Sequence, residues 1–354
     1  MKKFLPSGLA AFFVVLLCVS VFTTPRVEAQ DANFYEGKTI TIIIGFTPGG
    51  FYDRWSRHLA RYMPKFIPGK PQIIVQNMPA AGSRVAANYL YNIAKPDGLT
   101  FGTINKNLYF DQLIGNKLAK FDWRKYSWIG SPERPPDILY IRTDSNVATL
   151  ADAKKLKRAL KCGATGRANS GYVIPKAIEQ AMGVKFDIVL GYRGGREVDL
   201  AVERKEVECR AMSIPPFLGR EPFLTWKKNN LVFAFFQTGK EPFSKAPEIP
   251  SLFEELKKNN VAEEDIKFFE LVTSSSEFGR PFVGPPGIPE ARLNILRKAF
   301  QAVLIDDTEA QDEAKRLNLD AEPVKGEKLQ AMAVEVIDAS PAVVKRFKSL
   351  LGAK

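Results

Sequence analysis

The strongest chemical signal in the sequence is the stretch from Thr39 to Asp53, which reads TITIIIGFTPGGFYD. An apolar, β-branched run ends at a Pro-Gly-Gly turn, and a helix-like segment follows. Gly49 and Gly50 let the backbone approach a ligand because they carry no Cβ, and the first turn of the helix offers unpaired N–H donors to an anion. The spacing matches neither G-x-G-x-x-G nor G-x-x-x-x-G-K-[ST], so the nucleotide-binding mechanisms of those patterns are not supported. The segment predicts either a site for a small carboxylate or an ordinary turn between a strand and a helix.

Residues suited to catalysis or metal binding are scarce in the chain. His58 is the only histidine among 354 residues, which removes most Ser-His-Asp, Cys-His and multi-histidine metal arrangements. We expect its side chain to be solvated or to cap a helix end. Carboxylate pairs such as Glu254-Glu255 and Asp306-Asp307 lie in charged helical stretches, where a solvated helix face is the ordinary explanation. The sequence therefore predicts no metal site, no cofactor and no particular reaction.

Strands and helices alternate along the first part of the chain, which predicts a mostly parallel sheet with helices on its faces. The predicted strands are Ile40–Phe46, Gln72–Gln76 and Leu99–Ile104, and the predicted helices are Tyr52–Pro64 and Arg84–Ile93. Loops at the carboxyl ends of parallel strands gather at one edge of a sheet. We therefore expect three loops to converge, namely Pro48-Gly49-Gly50, Ala81-Gly82-Ser83 and Asn105-Lys106-Asn107.

The same alternation resumes near Ile138. The predicted strands are 161–165, Phe186–Leu190, Glu208–Met212 and Leu231–Gln237, and the predicted helices are Leu150–Leu160, Tyr172–Met182 and Glu197–Glu203. The loops after the first three of these strands read GRANSGY, GYRGG and SIPP, and each places glycines, hydroxyls or amides where a strand ends. Such neutral donors can bind an anion without a catalytic residue. Arg167 and Arg193 could add positive charge, although we expect both at the surface.

The first 29 residues have the pattern of an export signal. Lys2 and Lys3 precede an apolar segment from Leu9 to Phe22, and small residues near Ala29 predict cleavage before Gln30. An uncleaved membrane anchor is the alternative, although the apolar segment is short for a bilayer span. The mature protein is therefore expected in the periplasm.

The charge and length of the mature chain limit the kind of ligand that it can bind and the number of lobes that it can form. Removing the signal takes the formal net charge from +12 to +10, and the positive charges are spread along the chain. This distribution argues against a nucleic-acid surface and allows an anionic small ligand or an acidic partner. About 325 residues exceed the size at which one core usually stops growing, so two lobes are expected.

Cys162 and Cys209 each lie near the start of a predicted strand. If those strands are parallel neighbours, the two sulfur atoms lie at the same level and can form a disulfide in the oxidising compartment that an exported protein reaches. Two buried free thiols are the alternative.

Four motifs in order resemble the periplasmic solute-binding receptors of the tripartite tricarboxylate transporter family, also called the Bug or TctC-like family. Residues 38–83 resemble the family's strand, Pro-Gly-Gly turn, helix and second loop. KPDGLTFG at 95–102 is similar to the common Pro-Asp-Gly-x-Thr element, and GYRGG at 191–195 resembles the Tyr-Lys-Gly turn of the second lobe. Residues 280–300 resemble the family's return crossing and C-terminal helix start, so the resemblance covers nearly the whole mature chain.

The resemblance implies a two-lobed α/β clamshell like that of periplasmic binding proteins, in which each lobe is a mostly parallel sheet flanked by helices. We place lobe 1 at 30–134 plus 273–354 and lobe 2 at 135–272. A small carboxylated ligand in the cleft contacts both lobes only in the closed form and so favours it. The resemblance also implies that the closed form is presented to the permease subunits of a tripartite transporter. We expect a monomer without catalytic activity.

Family members typically grip a carboxylate through three regions. The resemblance implies that the matching residues form the ligand site, namely Thr47, Pro48, Gly49, Gly50, Phe51, Tyr52, Asp53, Ala81, Gly82, Ser83, Thr165, Gly166, Arg167, Asn169 and Ser170. The loops at other strand ends add Asn105, Tyr192, Gly194 and Ser213. Phe51 and Tyr52 replace the usual small residue and threonine. Their bulk predicts a ligand with an apolar or aromatic portion, or a smaller pocket, and argues against citrate-like substrates.

Two other functions stay open on the sequence. A secreted enzyme acting on a small organic acid, such as an isomerase or a hydrolase, would use carboxylates in the cleft, and Asp53 is the best candidate. A receptor that passes its closed shape to a sensor protein, instead of a transporter, is the second alternative.

Overall fold

The computed structural model describes residues 33–352. The predicted export signal at 1–29 and its cleavage before Gln30 lie outside the described residues. Within the described range, no helix has both the length and the apolar character needed to cross a bilayer.

Two separate β-sheets organise the described chain. In chain order the strands are β1 (Thr39–Ile44), β2 (Gln72–Asn77), β3 (Thr100–Thr103), β4 (Ser127–Ser131), β5 (Asp137–Arg142), β6 (Leu160–Gly163), β7 (Phe186–Val189), β8 (Cys209–Ser213), β9 (Val232–Gln237), β10 (Phe282–Gly284) and β11 (Val324–Lys325). The first sheet has the order β11-β4-β10-β3-β1-β2, and the second has the order β7-β6-β8-β5-β9.

Helices connect the strands and flank both sheets, which confirms the predicted α/β class. In chain order the α-helices are α1 (Phe51–Tyr62), α2 (Arg84–Asn92), α3 (Tyr109–Leu113), α4 (Leu150–Lys155), α5 (Ser170–Met182), α6 (Gly195–Glu203), α7 (Ile214–Gly219), α8 (Phe223–Lys228), α9 (Leu252–Lys258), α10 (Glu263–Thr273), α11 (Glu290–Ile305), α12 (Thr308–Arg316), α13 (Gly326–Ile337) and α14 (Pro341–Leu351). Several of the helices, including α1, α5 and α6, begin a few residues after a strand ends.

Most strands in each sheet run in one direction, as the alternating pattern predicts. In the first sheet β1 is parallel to β2 and β3, whereas β10 is antiparallel to both β3 and β4. In the second sheet β6 is parallel to β7 and β8, whereas β5 is antiparallel to β8 and β9. The chain enters the second sheet through β5 and returns to the first through β10. This distribution supports the lobe limits at 134 and 272, which stay a prediction.

The molecule has two halves, the first built around the sheet that contains β1 and the second around the sheet that contains β5. The C-terminal helix α14 packs on both of them. The ring of Phe347 stacks on Phe110 of α3 with centroids 4.6 Å apart, and it also contacts Phe268 of α10 at 5.2 Å. The carbonyl oxygen of Leu351 accepts a hydrogen bond of 3.2 Å from Arg167, which precedes α5. The end of the chain therefore joins the two sheets instead of covering the first one alone.

The Pro-Gly-Gly turn is held between two elements that the core fixes. Ile42 and Ile44 of β1 are fully buried, as its β-branched sequence predicts. Helix α1 buries Phe51, Trp55 and Leu59, which are spaced by four residues and share one face. Because both flanking elements are anchored, the turn has a defined position.

His58 is buried, so the expectation of a solvated or capping side chain is wrong. Its exposed fraction is 3 %, and its ring packs between Trp55 and Tyr62 at centroid distances of 5.8 Å and 5.1 Å. Its Nδ1 lies 3.4 Å from Oε2 of Glu313 on α12. Burial lowers the pKa of the imidazole, and the carboxylate of Glu313 offsets this only in part. Residue 58 faces inward because it lies three residues after Trp55 and four before Tyr62 on the same helix.

Protonation of His58 should weaken the fold as the pH falls. Because its pKa is lower in the folded protein than in the unfolded chain, the unfolded chain binds more protons below about pH 6.5. The free energy of unfolding should therefore decrease by up to about 1.4 kcal/mol per pH unit below that value. Urea unfolding of the native protein and of His58→Gln, between about pH 7.5 and pH 5.5, measures the difference in slope. Equal slopes in the two proteins would contradict this prediction.

Two predicted elements differ in the structure. The predicted helix Leu150–Leu160 is wrong in its second half, since α4 ends at Lys155 and Leu156 is extended. Arg158 donates a hydrogen bond of 2.6 Å to Glu208 beside β8, which ties the segment after α4 to the sheet. SIPP, predicted as a loop, opens helix α7 instead, because prolines fit the first turn, where the N–H groups have no intrahelical acceptor.

Cys162 and Cys209 form a disulfide. β6 and β8 are parallel neighbours, and the two cysteines are directly paired in the register, with Cα atoms 4.5 Å apart. The hypothesis that the two sulfur atoms lie at the same level on adjacent parallel strands therefore describes the structure. The alternative of two free thiols does not.

Candidate functional site

A cavity of about 90 Å³ lies between the two halves of the molecule. In the first half its walls follow the ends of β1 and β3, and in the second half they follow the ends of β6 and β8. The crossing segments contribute Pro135, Asp137, Gly279 and Arg280. The cavity thus lies where the carboxyl ends of parallel strands meet, which is the usual place for ligands in open α/β sheets.

The loops after the first three strands converge beside this cavity, as predicted. The N–H of Asn105 donates a hydrogen bond of 3.2 Å to the Ser83 hydroxyl, and the Asn105 amide donates one of 3.4 Å to the Gly82 carbonyl. Gly45 lies so close to Ser83 that a Cβ at position 45 would overlap its side chain. The loop after β2 therefore supports the loop after β3 from behind.

Asp53 shapes the Pro-Gly-Gly turn. Its carboxylate accepts hydrogen bonds from the Gly49 N–H at 2.8 Å, from Arg57 at 2.9 Å and from Asn77 at 3.0 Å. Burial raises the pKa of this carboxyl, but the three hydrogen bonds outweigh burial and leave the pKa below its usual value. The ionised side chain of Asp53 thus stabilises the turn without lining the cavity.

The first turn of α1 presents free backbone donors. Gly50 is the N-cap and makes no side-chain capping bond. Among the described residues, the N–H groups of Gly50, Phe51 and Tyr52 have no acceptor, and all three residues line the cavity. Such a helix end carries a partial positive charge and unpaired donors, so it favours an anion.

The second half supplies a matching helix start. Thr165, Asn169 and Ser170 line the cavity at the beginning of α5, and the Asn169 side chain caps this helix by accepting the Gly171 N–H at 3.0 Å. The Thr165 hydroxyl is buried, and no other group within residues 33–352 forms a hydrogen bond with it. A buried hydroxyl without a partner costs free energy, so it is a candidate ligand contact.

A buried ion pair joins the two walls. Lys106 donates to Asp137 at 3.0 Å, and the Ser170 hydroxyl donates to the other carboxylate oxygen at 2.8 Å. Asn107 in turn donates to Ser170 at 3.4 Å. Lys106 and Asp137 are 6 % and 2 % exposed, so the carboxylate is neutralised within the wall by a cation of the first half.

Arg280 occupies the floor of the cavity on the crossing segment. Its guanidinium pairs with Glu133, donates to the Ser213 hydroxyl at 2.6 Å and lies 4.9 Å from the centre of the Tyr52 ring. Burial raises the pKa of the Tyr52 hydroxyl to about 12, although Arg280 opposes the shift. Tyr52 therefore stays protonated and can donate a hydrogen bond to an anion.

Positive charge exceeds negative charge around the cavity. The cationic residues in its walls are Lys106, Arg196, Arg210, Arg220 and Arg280. Their carboxylate partners are Asp137, Glu133 and Asp199, which leaves two positive charges in excess. This balance suits an anionic ligand and disfavours a cation.

Glycines let the two halves touch beside the cavity. A Cβ at Gly82 would lie 3.3 Å from the Cα of Gly166 on the opposite half. A Cβ at Gly194 would overlap the hydroxyl of Thr47, and one at Gly49 would overlap the guanidinium of Arg196. The structure therefore shows the cleft in a closed arrangement.

Residues 56–332 match the sequence pattern of the tripartite tricarboxylate transporter family receptor. The chain belongs to this family. No curated protein sequence matches the receptor. Its family and fold are those of periplasmic solute-binding receptors.

Solved structures of similar fold cover nearly the whole receptor. The periplasmic binding protein BugD is 18 % identical with a TM-score of 0.70, over 89 % of this chain and 98 % of that one. MatC from Rhodopseudomonas palustris, with bound malate, is 17 % identical with a TM-score of 0.67, over 89 % and 99 %. An R. palustris protein with adipate is 17 % identical with a TM-score of 0.69, over 89 % and 98 %. At these identities the likeness shows the shared fold.

The structure places about half of the predicted site residues in the cavity walls of the receptor. These are Thr47, Gly50, Phe51, Tyr52, Asn105, Thr165, Asn169, Ser170 and Ser213. The predicted residues that lie outside the walls are Pro48, Gly49, Asp53, Ala81, Gly82, Ser83, Gly166, Arg167, Tyr192 and Gly194. Most of the second group supports the walls from behind or forms the contacts between the halves.

Arg167 and Asp53 lie outside the cavity walls although the resemblance implies both in the site, and the exposed side chain of Arg167 agrees with the expectation of a surface position. Arg167 donates to the Tyr172 hydroxyl at 3.0 Å and to the Leu351 carbonyl, so it anchors α14 instead of facing the cavity. Asp53 lies behind the turn, as described above. Both are charged residues within motifs of the family, and their own hydrogen bonds turn them away from the ligand space.

The sequence interpretation missed most of the charged residues in the walls, namely Asp137, Arg196, Arg210, Arg220 and Arg280. The sequence predicts Lys106 at the converging edge of the sheet but does not single it out as a site residue. A signal for one of them was present, because Arg210 interrupts the otherwise apolar pattern of β8 at a position flanked by buried residues. An arginine there needs a buried carboxylate or an anionic ligand as its partner.

Proposed function

We propose that the receptor captures a small carboxylate-bearing metabolite in the cavity between its halves. The observation that carries this proposal is that α1, α5 and α6 all begin at the cavity, in walls with an excess of positive charge. Helix starts and cations from both halves can thus bind one anion together. The malate and adipate in two structural relatives are anions of this class.

The proposed mechanism is a shift of population toward the closed form. Thr47 and Tyr52 belong to one half, whereas Thr165 and Ser170 belong to the other, so only a closed cleft brings all of them to one ligand. A ligand that gains these contacts on closure stabilises that form by the difference in its affinity for the two states. The closed receptor then delivers the solute to the permease subunits of a tripartite tricarboxylate-type transporter.

The predicted alternative of a secreted enzyme has no support from Asp53. Its carboxylate accepts three hydrogen bonds behind the turn and has no position at the cavity from which to transfer a proton. The alternative of a sensor partner has no specific observation in its favour. We therefore keep transport as the proposed role, with a periplasmic location after removal of the signal before Gln30.

Thermal unfolding of protein purified from the periplasm, in the presence of a panel of organic acids, tests the capture step. A ligand at about 100 times its dissociation constant should raise the melting temperature by roughly 4 °C, since it binds only the native state. Calorimetry should then give one site per chain without consumption of the ligand. A panel of aliphatic and aromatic mono- and dicarboxylates without any shift would contradict the proposal. Loss of uptake of the identified solute after deletion of the receptor gene tests delivery.

A further inference from the structure

Three arginines gather at the second-half wall of the cavity around a single carboxylate. This arginine cluster consists of Arg196 at the start of α6, Arg210 on β8 and Arg220 after α7. Asp199, which is 2 % exposed, pairs with Arg210 and accepts a hydrogen bond of 2.7 Å from Arg220. The Tyr140 hydroxyl also donates to this carboxylate at 3.0 Å.

Ion pairs balance only part of the charge of the arginine cluster. Asp199 pairs with Arg210 and Arg220, whereas Arg196 has no ion-pair partner within residues 33–352, so the cavity wall carries two more guanidinium groups than paired carboxylates. Burial lowers the pKa of Arg220, the paired carboxylate of Asp199 opposes this shift, and the smaller contributions of Arg210 and Arg196 lower the pKa further. The arginines therefore repel one another, and an anion among them would relieve that repulsion.

The arginine cluster also has hydrogen-bond donors to spare. Nε of Arg220 is buried and has no acceptor within the described part of the chain. Arg196 forms no hydrogen bond or ion pair with any residue between 33 and 352, and its guanidinium lies against Gly49 on the opposite half. Arg196 therefore reaches across the closed cleft with its donors unused.

We propose that the arginine cluster binds a phosphate or phosphonate group at the far end of a carboxylate ligand. This inference rests on the proposed function, and it assigns the carboxylate to the starts of α1 and α5, because the start of α6 lies beside the arginine cluster, where Arg210 donates a hydrogen bond of 2.8 Å to the Gly195 carbonyl. A doubly charged group matches the two excess charges, whereas a carboxylate leaves one unbalanced. Its three oxygens can also accept from guanidinium groups that approach from three different elements, while a planar carboxylate pairs with one or two.

Four carboxylates test the proposal by isothermal titration calorimetry on protein purified from the periplasm, and three of them carry a second anionic group separated from the carboxylate carbon by two atoms. Propionate has no second anion, succinate has a second carboxylate, 3-phosphonopropionate has a phosphonate, and 2-phosphoglycolate has a phosphate ester. We expect both phosphorus compounds to bind at least tenfold more tightly than succinate. The two differ in one bridging atom, so their ratio identifies the preferred source of the group.

Arg196→Gln supplies the specific test of the arginine cluster. Its side chain is exposed and makes no contact that the fold needs, so the melting temperature should not change. The preference for the phosphorus compounds over succinate should fall at least tenfold, and Arg196→Lys should restore part of it. Arg193→Gln removes the same charge from the same turn but outside the cavity walls, and it should leave the preference unchanged.

The outcomes separate this inference from the function on which it rests. Succinate binding as tightly as both phosphorus compounds would overturn the inference, as would equal weakening of all ligands by Arg196→Gln. Binding of other carboxylates without binding of either phosphorus compound would also overturn it while the proposed function stands. Only the absence of binding to any carboxylate would contradict both this inference and the proposed function.

Discussion

Replacing Gly50 by valine should lower the affinity for the carboxylate ligand about 100-fold and leave the receptor folded. Gly50 has an ordinary backbone conformation, with φ −75° and ψ 171°, so a side chain causes no strain. A Cβ there would meet only the Thr47 carbonyl oxygen, at 3.8 Å, and because Gly50 lines the cavity we expect the valine methyl groups to occupy part of it. It would block the free N–H donors of α1, and losing two charge-assisted hydrogen bonds costs roughly 3 kcal/mol.

Calorimetry with the ligand found in the organic-acid panel measures this loss. Ala262→Val is a matched control, because Ala262 is the N-cap of α10, is exposed and lies far from the cavity walls. The control should bind as the native receptor does, and both variants should melt near the native temperature. A folded Gly50→Val variant with native affinity would show that the start of α1 does not hold the carboxylate.

Replacing Gly279 by alanine should destabilise the receptor by about 4 kcal/mol. Gly279 has φ 59° and ψ −113°, a conformation that residues with a side chain rarely adopt. A Cβ there would also overlap the carbonyl oxygen of Glu133 on the other crossing segment. Backbone cannot move aside as a flexible side chain can, so the two crossing segments would have to separate.

Gly287→Ala separates strain from overlap. Gly287 has φ 86°, but a Cβ there would meet nothing within 4 Å, so the substitution should cost only about 1 kcal/mol. Urea unfolding of both variants gives the two free energies of unfolding. Equal losses would show that the crossing segments accommodate a side chain and that their close contact is unimportant for stability.

The alternation of strands and helices was predictable because it depends on local patterns. β1 is β-branched and apolar, and α1 has buried residues at helical spacing, so both were recognised within two residues of their ends. The sequence does not predict β4 or β11. The β4 sequence SWIGS and the two-residue strand β11 carry no periodic signal of their own. Their pairing with β10 and with each other determines them, and that pairing is tertiary.

The residues of the candidate site likewise divide into those that local sequence motifs predict and those that only tertiary contacts position. The Pro-Gly-Gly turn and the start of α5 follow from motifs in which residues close in sequence act together. The pairing of Cys162 with Cys209, which are 47 positions apart, depends instead on β6 and β8 being neighbours in the sheet. The sequence alone therefore determined the family, the α/β class and the positions of the helix starts that we propose bind the anion.

Only the tertiary structure decided which charged residues face the ligand space. The family resemblance implies that Asp53 and Arg167 belong to the site, but hydrogen bonds to Gly49 and Leu351 turn them away. Arg210 and Arg280 line the cavity because the chain crosses twice between the sheets and brings residues separated by 70 positions to the same cavity. Long side chains reach either solvent, a partner or a cavity with nearly equal ease, so their direction depends on neighbours that sequence spacing does not reveal.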